Sequence, residues 1–141
     1  MTPRVLFQSL RHSRVVQSFF VGCIALVVQT SIFEVLAVLL HLSTPSTAVL
    51  LGAEGGVLTN FYINNAYTFA DRQHHISKLS RLIRFHLVVS GSVFIQWLLV
   101  YLVEKSTDSF LLIHIAYFTG LGIGFIWNYT LYKLVVWRHT N

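Results

Sequence analysis

Gly52-Ala53-Glu54-Gly55-Gly56-Val57-Leu58-Thr59-Asn60-Phe61 returns 68 residues later as Gly120-Leu121-Gly122-Ile123-Gly124-Phe125-Ile126-Trp127-Asn128-Tyr129. Both follow the pattern G-x-x-x-G-x-x-x-N-[aromatic]. A spacing of four places the two glycines and the asparagine on one face of a helix. The segments that follow also align, Asn60 through Phe69 with Asn128 through Trp137, and both end on an aromatic. A fainter echo precedes them: Phe20-Val21 lead to Gln29 as Leu87-Val88 lead to Gln96, at an offset of 67. The repeated unit is therefore a two-helix hairpin, and the chain is predicted to contain it twice.

The composition says where such hairpins live. Of 141 residues, 55% are apolar and 11% charged, against about 25% charged in an ordinary soluble domain. This excludes a water-soluble globule, a disordered chain and a coiled coil. A lone cysteine, Cys23, excludes a disulfide scaffold. A bilayer core about 30 Å thick takes roughly 20 helical residues per crossing, so four crossings with short connections use the whole length. The apolar stretches run over about 15–42, 47–69, 82–103 and 110–137. The first is too long for the apolar part of a signal peptide, which is about 7 to 15 residues.

The expected architecture is all-α: one polytopic membrane domain over 1–141, with four transmembrane helices forming two parallel-related repeats. Repeat one covers about 15–69, a loop about 70–80, and repeat two about 82–137. An even number of crossings per unit makes both copies start on the same side, related by an axis along the membrane normal. Arg4, Arg11, Arg14, Arg72, Lys78, Arg81, Arg84, Lys133 and Arg138 fall on one side of this topology and Lys105 alone on the other. The positive-inside rule then places both termini and the long loop in the cytoplasm. A basic rim facing anionic lipid accounts for the net charge of +5 without a nucleic-acid partner.

Polar residues inside the spans are the candidate functional groups. Gly52, Gly56, Gly120 and Gly124 make flat faces for close helix packing. Gln29, Asn60, Asn64, Gln96 and Asn128 must find hydrogen-bond partners in hydrocarbon, on a neighbouring helix or on a ligand. Five such amides suggest a shared polar interior, read either as a structural network or as the border of a substrate path. Glu34 and Glu54 also lie in spans; each is a neutral or paired carboxyl, or a proton or cation site. Arg14, Arg81, Arg84 and Lys133 offer phosphate-binding chemistry at the basic rim, or serve as orientation anchors. His12, His41, His86, His114 and His139 are scattered near span ends and read as interfacial, as do His74-His75 in the loop. No serine elbow, phosphate-cradling glycine loop or zinc helix motif occurs. Catalytic chemistry, a metal and a cofactor are therefore not expected.

Phe20-Val21-Gly22 opening the first span, Asn60-Phe61 with Asn64 and Phe69, Arg84-Phe85 opening the third, and Trp127-Asn128-Tyr129 leading to Trp137 together resemble the GtrA-like family of small four-helix membrane proteins. The resemblance covers about 18–137. It departs from the family pattern at Gln29, where an acid is common, at Asn65, Ala66 and Tyr67, where bases with Trp are common, and at Glu54, which the pattern lacks. The resemblance implies a multi-pass protein of the bacterial cytoplasmic membrane that flips a polyprenyl-phosphate-linked sugar to the outer leaflet for cell-surface polysaccharide synthesis. There a membrane glycosyltransferase uses it as donor. On this reading Asn60, Asn64, Asn128, Gln29 and Gln96 attend the sugar, and Lys133, Arg84 and Arg81 the phosphate. Four helices enclose little volume, so a homodimer or larger assembly is a reasonable hypothesis, with the glycine faces as candidate interfaces. Two other classes compete. A small multidrug-type cation/proton antiporter would centre on Glu54, and a non-transporting partner of a glycosyltransferase would use every polar residue for packing.

Overall fold

A computed structural model describes residues 14–68 and 77–131, with side chains over 16–67 and 77–128. It is all-helical. Among the described residues four helices follow in order: α1 (Arg14–Phe33), α2 (Pro45–Ile63), α3 (Lys78–Ser106) and α4 (Phe110–Leu131). The first two continue into π-helical turns, Glu34–Leu39 after α1 and Asn64–Thr68 after α2. Helices α1 and α2 pack as one antiparallel hairpin, α3 and α4 as another, and α2 against α3 joins them. Side chains of α1 and α4 close the ring, with Phe33 stacked on Tyr117 at 4.1 Å between ring centroids.

Local chemistry sets the helix ends. At the start of α2, Thr44 is the N-cap and its hydroxyl accepts from the Thr47 amide at 3.3 Å. Pro45 has no N–H to satisfy, and the Ser46 amide donates to Glu104 Oε2 on α3 at 2.8 Å. The first-turn donors are thus all accounted for, one of them by a carboxylate at the positive end of the helix dipole. Helix α1 stops at a left-handed residue, His41, with φ of 48°. The Leu42 amide beyond it returns to the Leu36 carbonyl at 2.8 Å and covers an otherwise orphaned acceptor. Ser77 caps α3, accepting from the Ser80 amide at 3.2 Å. Lys78, expected in the loop, is therefore helical. The serine offers the terminal amides a partner five residues before the apolar run begins.

The outside of the bundle is apolar: Phe19, Phe20, Val27, Leu87, Phe94, Phe118, Phe125 and Ile126 are all exposed. A water-soluble bundle would hide such residues, whereas lipid accepts them. Among the described residues three helical segments are long and apolar enough to cross a membrane, Val16–Leu39, Lys78–Ser106 and Phe110–Asn128. The chain is a multi-pass membrane protein. Helix α2, expected as a fourth crossing, is not among the three: at 19 residues it carries Ser46, Thr47, Glu54, Thr59, Asn60 and three glycines, which dilute its apolar character.

The glycine faces are consumed within each hairpin. A Cβ at Gly52 would lie 2.7 Å from the Gln29 carbonyl oxygen, and one at Gly56 3.0 Å from that of Ala25. In the second hairpin, a Cβ at Gly120 would lie 2.8 Å from Gln96 Cα, and one at Gly124 3.1 Å from Ser92 Cβ. The expectation that these faces serve a homodimer is corrected: the partner helix of the same hairpin already occupies them. An added methyl meets backbone at Gly52 and Gly120, and backbone cannot step aside cheaply. Gly52→Ala and Gly120→Ala should each destabilise the protein in detergent unfolding by about 1–3 kcal/mol. Gly22→Ala and Gly122→Ala, at positions with open space, should be neutral or slightly stabilising in the same assay.

Candidate functional site

The buried apolar cluster, Phe33, Ala48, Val49, Val100, Ala116 and Tyr117, gathers toward the end of the bundle that carries the two turns. Polar groups occupy the middle and the opposite end. At the centre, Gln29 Nε2 on α1 donates to Gln96 Oε1 on α3 at 2.8 Å, across the diagonal of the bundle. Beside it the Thr30 and Tyr117 hydroxyls are 3.2 Å apart. Gln29 leans against Gly52 and Gly56, and Gln96 against Gly120. The small faces thus let two amides sit at the axis, where larger residues would push the helices apart.

The other amides form separate groups nearer the far end. Asn64 donates to Asn60 Oδ1 one turn back and accepts from Ser18 Oγ on α1 at 3.3 Å. Asn128 Nδ2 donates to Ser92 Oγ on α3 at 3.1 Å, and Ser92 in turn donates to the Val89 carbonyl. The expectation of one shared polar interior is therefore refined into three groups: a central Gln29–Gln96 pair and one asparagine group inside each hairpin. The reason is helical geometry: Asn60 and Asn128 lie two turns beyond the first glycine of their motif, too far along the axis for the glutamines to reach. Gln96 Nε2 and Asn128 Oδ1 are buried without a hydrogen-bond partner. Gln96 is 3% exposed, and the Tyr117 hydroxyl is the polar group its amide approaches.

Glu54 is not part of this polar interior. It sits on the flank of the bundle, with both carboxylate oxygens 3.2 and 3.3 Å from His86 Nε2 on α3. Glu34 is likewise 3.0 Å from His114 Nε2 on α4. His86 and His114, read from the sequence as interfacial, are each the partner of a helix glutamate; pairing is what makes an ionisable group tolerable in apolar surroundings. Their sequence separations, 32 and 80 residues, fit no helical spacing, and only the tertiary arrangement reveals them. Ser92 and Tyr117 were missed for the same reason.

Between α2 and α3 lies an open cleft of about 820 Å³. Leu50, Val57, Leu58, Ile83, Leu87 and Phe94 form its apolar walls, and Glu54, His86 and Ser90 are its polar members. Lys78, Arg81 and Arg84 stand on the first two turns of α3, next to the cleft's end at Leu82 and Ile83. Arg84 is exposed. Arg81 is half-buried, and its Nε has no hydrogen-bond partner. Lys78 Nζ lies 4.4 Å over the Tyr62 ring of α2. Lys133, the base within the second motif, lies outside the described residues, as do Arg4, Arg11, Arg72 and Arg138. Among the described residues no cluster of side chains could hold a metal.

The Gln29–Gln96 bond ties the two hairpins, so its removal should be felt in both. Gln29→Leu alone leaves the Gln96 amide unpaired in an apolar site. A double-mutant cycle with Gln29→Leu and Gln96→Leu should return a coupling of about 0.5–2 kcal/mol in detergent unfolding, and the double variant should lose less than the sum of the singles.

No curated protein matches the chain. A family comparison matches residues 17–137 to the GtrA/DPMS transmembrane domain, a range that takes in both copies of the repeated motif. With four helices, two of them carrying the glycine–asparagine motif, and a match over most of its length, the chain belongs to the GtrA/DPMS transmembrane domain family.

Proposed function

We propose that this protein flips a polyprenyl-phosphate-linked sugar from the cytoplasmic to the outer leaflet of a bacterial cytoplasmic membrane, supplying a membrane glycosyltransferase that builds cell-surface polysaccharide. The observation that carries the reading is the α2–α3 cleft, open on the flank, walled by apolar side chains and ending beside three bases. An amphiphile with a long apolar tail and an anionic head suits that shape: the tail stays in lipid along the walls while the phosphate meets Arg81 and Arg84, with Lys133, the base within the second motif, as a further phosphate ligand. Membership of the family supports the same role.

In this reading α2 completes a fourth crossing, both termini face the cytoplasm, and the two hairpins are copies of one unit. The matched contacts support this last point, since Gly52 seats Gln29 as Gly120 seats Gln96. The sugar crosses where the hairpins meet. In the closed bundle Gln29, Gln96, Asn60, Asn64 and Asn128 bond to protein groups. When the hairpins part, the same amides are free to bond sugar hydroxyls in place of water. No catalytic step falls to this chain. Any homodimer would use the exposed apolar surface, since the glycine faces are filled.

The test is translocation by the purified protein in liposomes that carry a fluorescent polyprenyl-phosphate sugar in both leaflets. With protein alone, the lipid exchanges between leaflets, so a membrane-impermeant quencher added outside should reach the whole pool, against about half in protein-free vesicles, where only one leaflet is accessible. Asn60→Ala and Asn128→Ala should each slow this about tenfold or more while inserting normally, the effect of one lost polar contact of about 1–3 kcal/mol. Wild-type protein that leaves half the pool inaccessible would instead favour the reading as a non-transporting partner of the glycosyltransferase.

A further inference from the structure

Two histidines within the helices are held in the same way. His86 Nδ1 lies 3.0 Å from the Leu82 carbonyl oxygen, and His114 Nδ1 lies 2.9 Å from the Phe110 carbonyl oxygen. A carbonyl only accepts, so Nδ1 carries hydrogen in both rings. Each Nε2 then faces a glutamate, Glu54 for His86 and Glu34 for His114. One proton between Nε2 and the carboxyl satisfies the contact, as imidazolium with carboxylate or as neutral imidazole accepting from the acid. Both forms are electrically neutral. With no proton, two acceptors face each other and the pair is negative. With two, imidazolium faces a neutral acid: its Nε2–H still donates to the acid's carbonyl oxygen, but the attraction between opposite charges is lost, the contact weakens and the pair is positive. Either change leaves a net charge in a span, where it is costly.

Their placement is as regular as their chemistry. In each pair the carboxyl belongs to the first hairpin and the imidazole to the second. Glu54 with His86 bridges α2 and α3, and Glu34 with His114 bridges α1 and α4. The two seams between the hairpins therefore carry one pair each, at different depths. His114 is four residues from the start of α4 at the turn end, whereas His86 is eight residues from the start of α3 at the other end. Among the described residues, no other ionisable side chain lines the cleft around Glu54 and His86. Near the second pair, the Tyr117 hydroxyl of α4 is within electrostatic reach of Glu34 and lies 3.2 Å from the Thr30 hydroxyl. At the same end Glu104 of α3 accepts from the Ser46 amide, and Lys105 lies over the Tyr101 ring.

We propose that the Glu54–His86 and Glu34–His114 pairs are proton-binding sites that latch the two hairpins together, one on each seam, and that uptake of a second proton releases the latch it reaches. The incoming proton comes from water and ends on the carboxylate of the imidazolium form, leaving imidazolium and carboxylic acid. The proposal rests on the hairpins as the parts that move and is independent of the cargo.

The test uses the full chain in lipid vesicles, without substrate, in a Cys23→Ser background. Spin labels at Ala66 and Leu79 report the α2–α3 seam, and labels at Leu39 and Leu111 report the α1–α4 seam; all four positions are exposed. Lowering the pH from about 8 to about 5 should lengthen and broaden both distances by several ångströms. Glu54→Gln should abolish the response of the first label pair only, and Glu34→Gln that of the second only. Where a single variant does not fold, Glu54→Gln with His86→Gln, and Glu34→Gln with His114→Gln, replace the pair by two amides and should give the same local loss. Distances that ignore pH, or a response that survives in the matching variant, would overturn the proposal. Because no sugar is present, either outcome leaves the choice of cargo untouched.

Discussion

The hydrogen bond between Gln29 and Gln96 is the constraint around which the molecule is arranged. Two amides at the axis of a lipid-embedded bundle need each other, since hydrocarbon offers neither donor nor acceptor. They meet only if the helices behind them stand close, which is what Gly52, Gly56 and Gly120 permit. The hairpins follow from the glycines, and the diagonal contact between hairpins follows from the glutamines. Below this level the asparagine groups stay within their own hairpins, and above it the apolar cluster around Phe33 and Tyr117 fills the turn end.

Packing in lipid gains little from the hydrophobic effect, because a lipid tail is as apolar as a leucine side chain. The hairpins are held together by the packing of the apolar cluster around Phe33 and Tyr117 and by a short list of polar contacts: the glutamine pair, the Thr30–Tyr117 hydroxyls, the Glu104 cap on α2 and the two glutamate–histidine pairs. Such contacts are directional and few. In the proposed function such contacts are exchanged for bonds to a passing sugar, and in the proposed latch they are altered by a proton. Each hairpin carries one copy of the glycine–asparagine motif, and on that reading the motion lies between them.

Much of this was legible in the sequence. The charge deficit gave the membrane, the repeated glycine–asparagine motif gave the hairpins, and helix boundaries fell within a few residues of the expected spans because turn chemistry at Ser43-Thr44-Pro45 and Thr107 is local. The loop boundary slipped because Ser77 caps a helix that begins before the apolar run. Polar partnerships were less legible. That Gln29 and Gln96 stand at matching places in the repeats is visible in the letters, but their meeting across the diagonal is not. Glu54 and His86 break the repeat altogether, since Gly122 and Phe19 stand at the matching positions, so no internal comparison could pair them.

The central claim is that the hairpins part to let the sugar cross, and locking them tests it most directly. Ser46 and Glu104 join α2 to α3 at the turn end, away from the amides and bases assigned to the cargo. In a Cys23→Ser background, Ser46→Cys with Glu104→Cys, bridged by a short bifunctional methanethiosulfonate, should stop translocation of the lipid-linked sugar, and reductant should restore it. Bridged protein that translocates as fast as its reduced form would contradict the account.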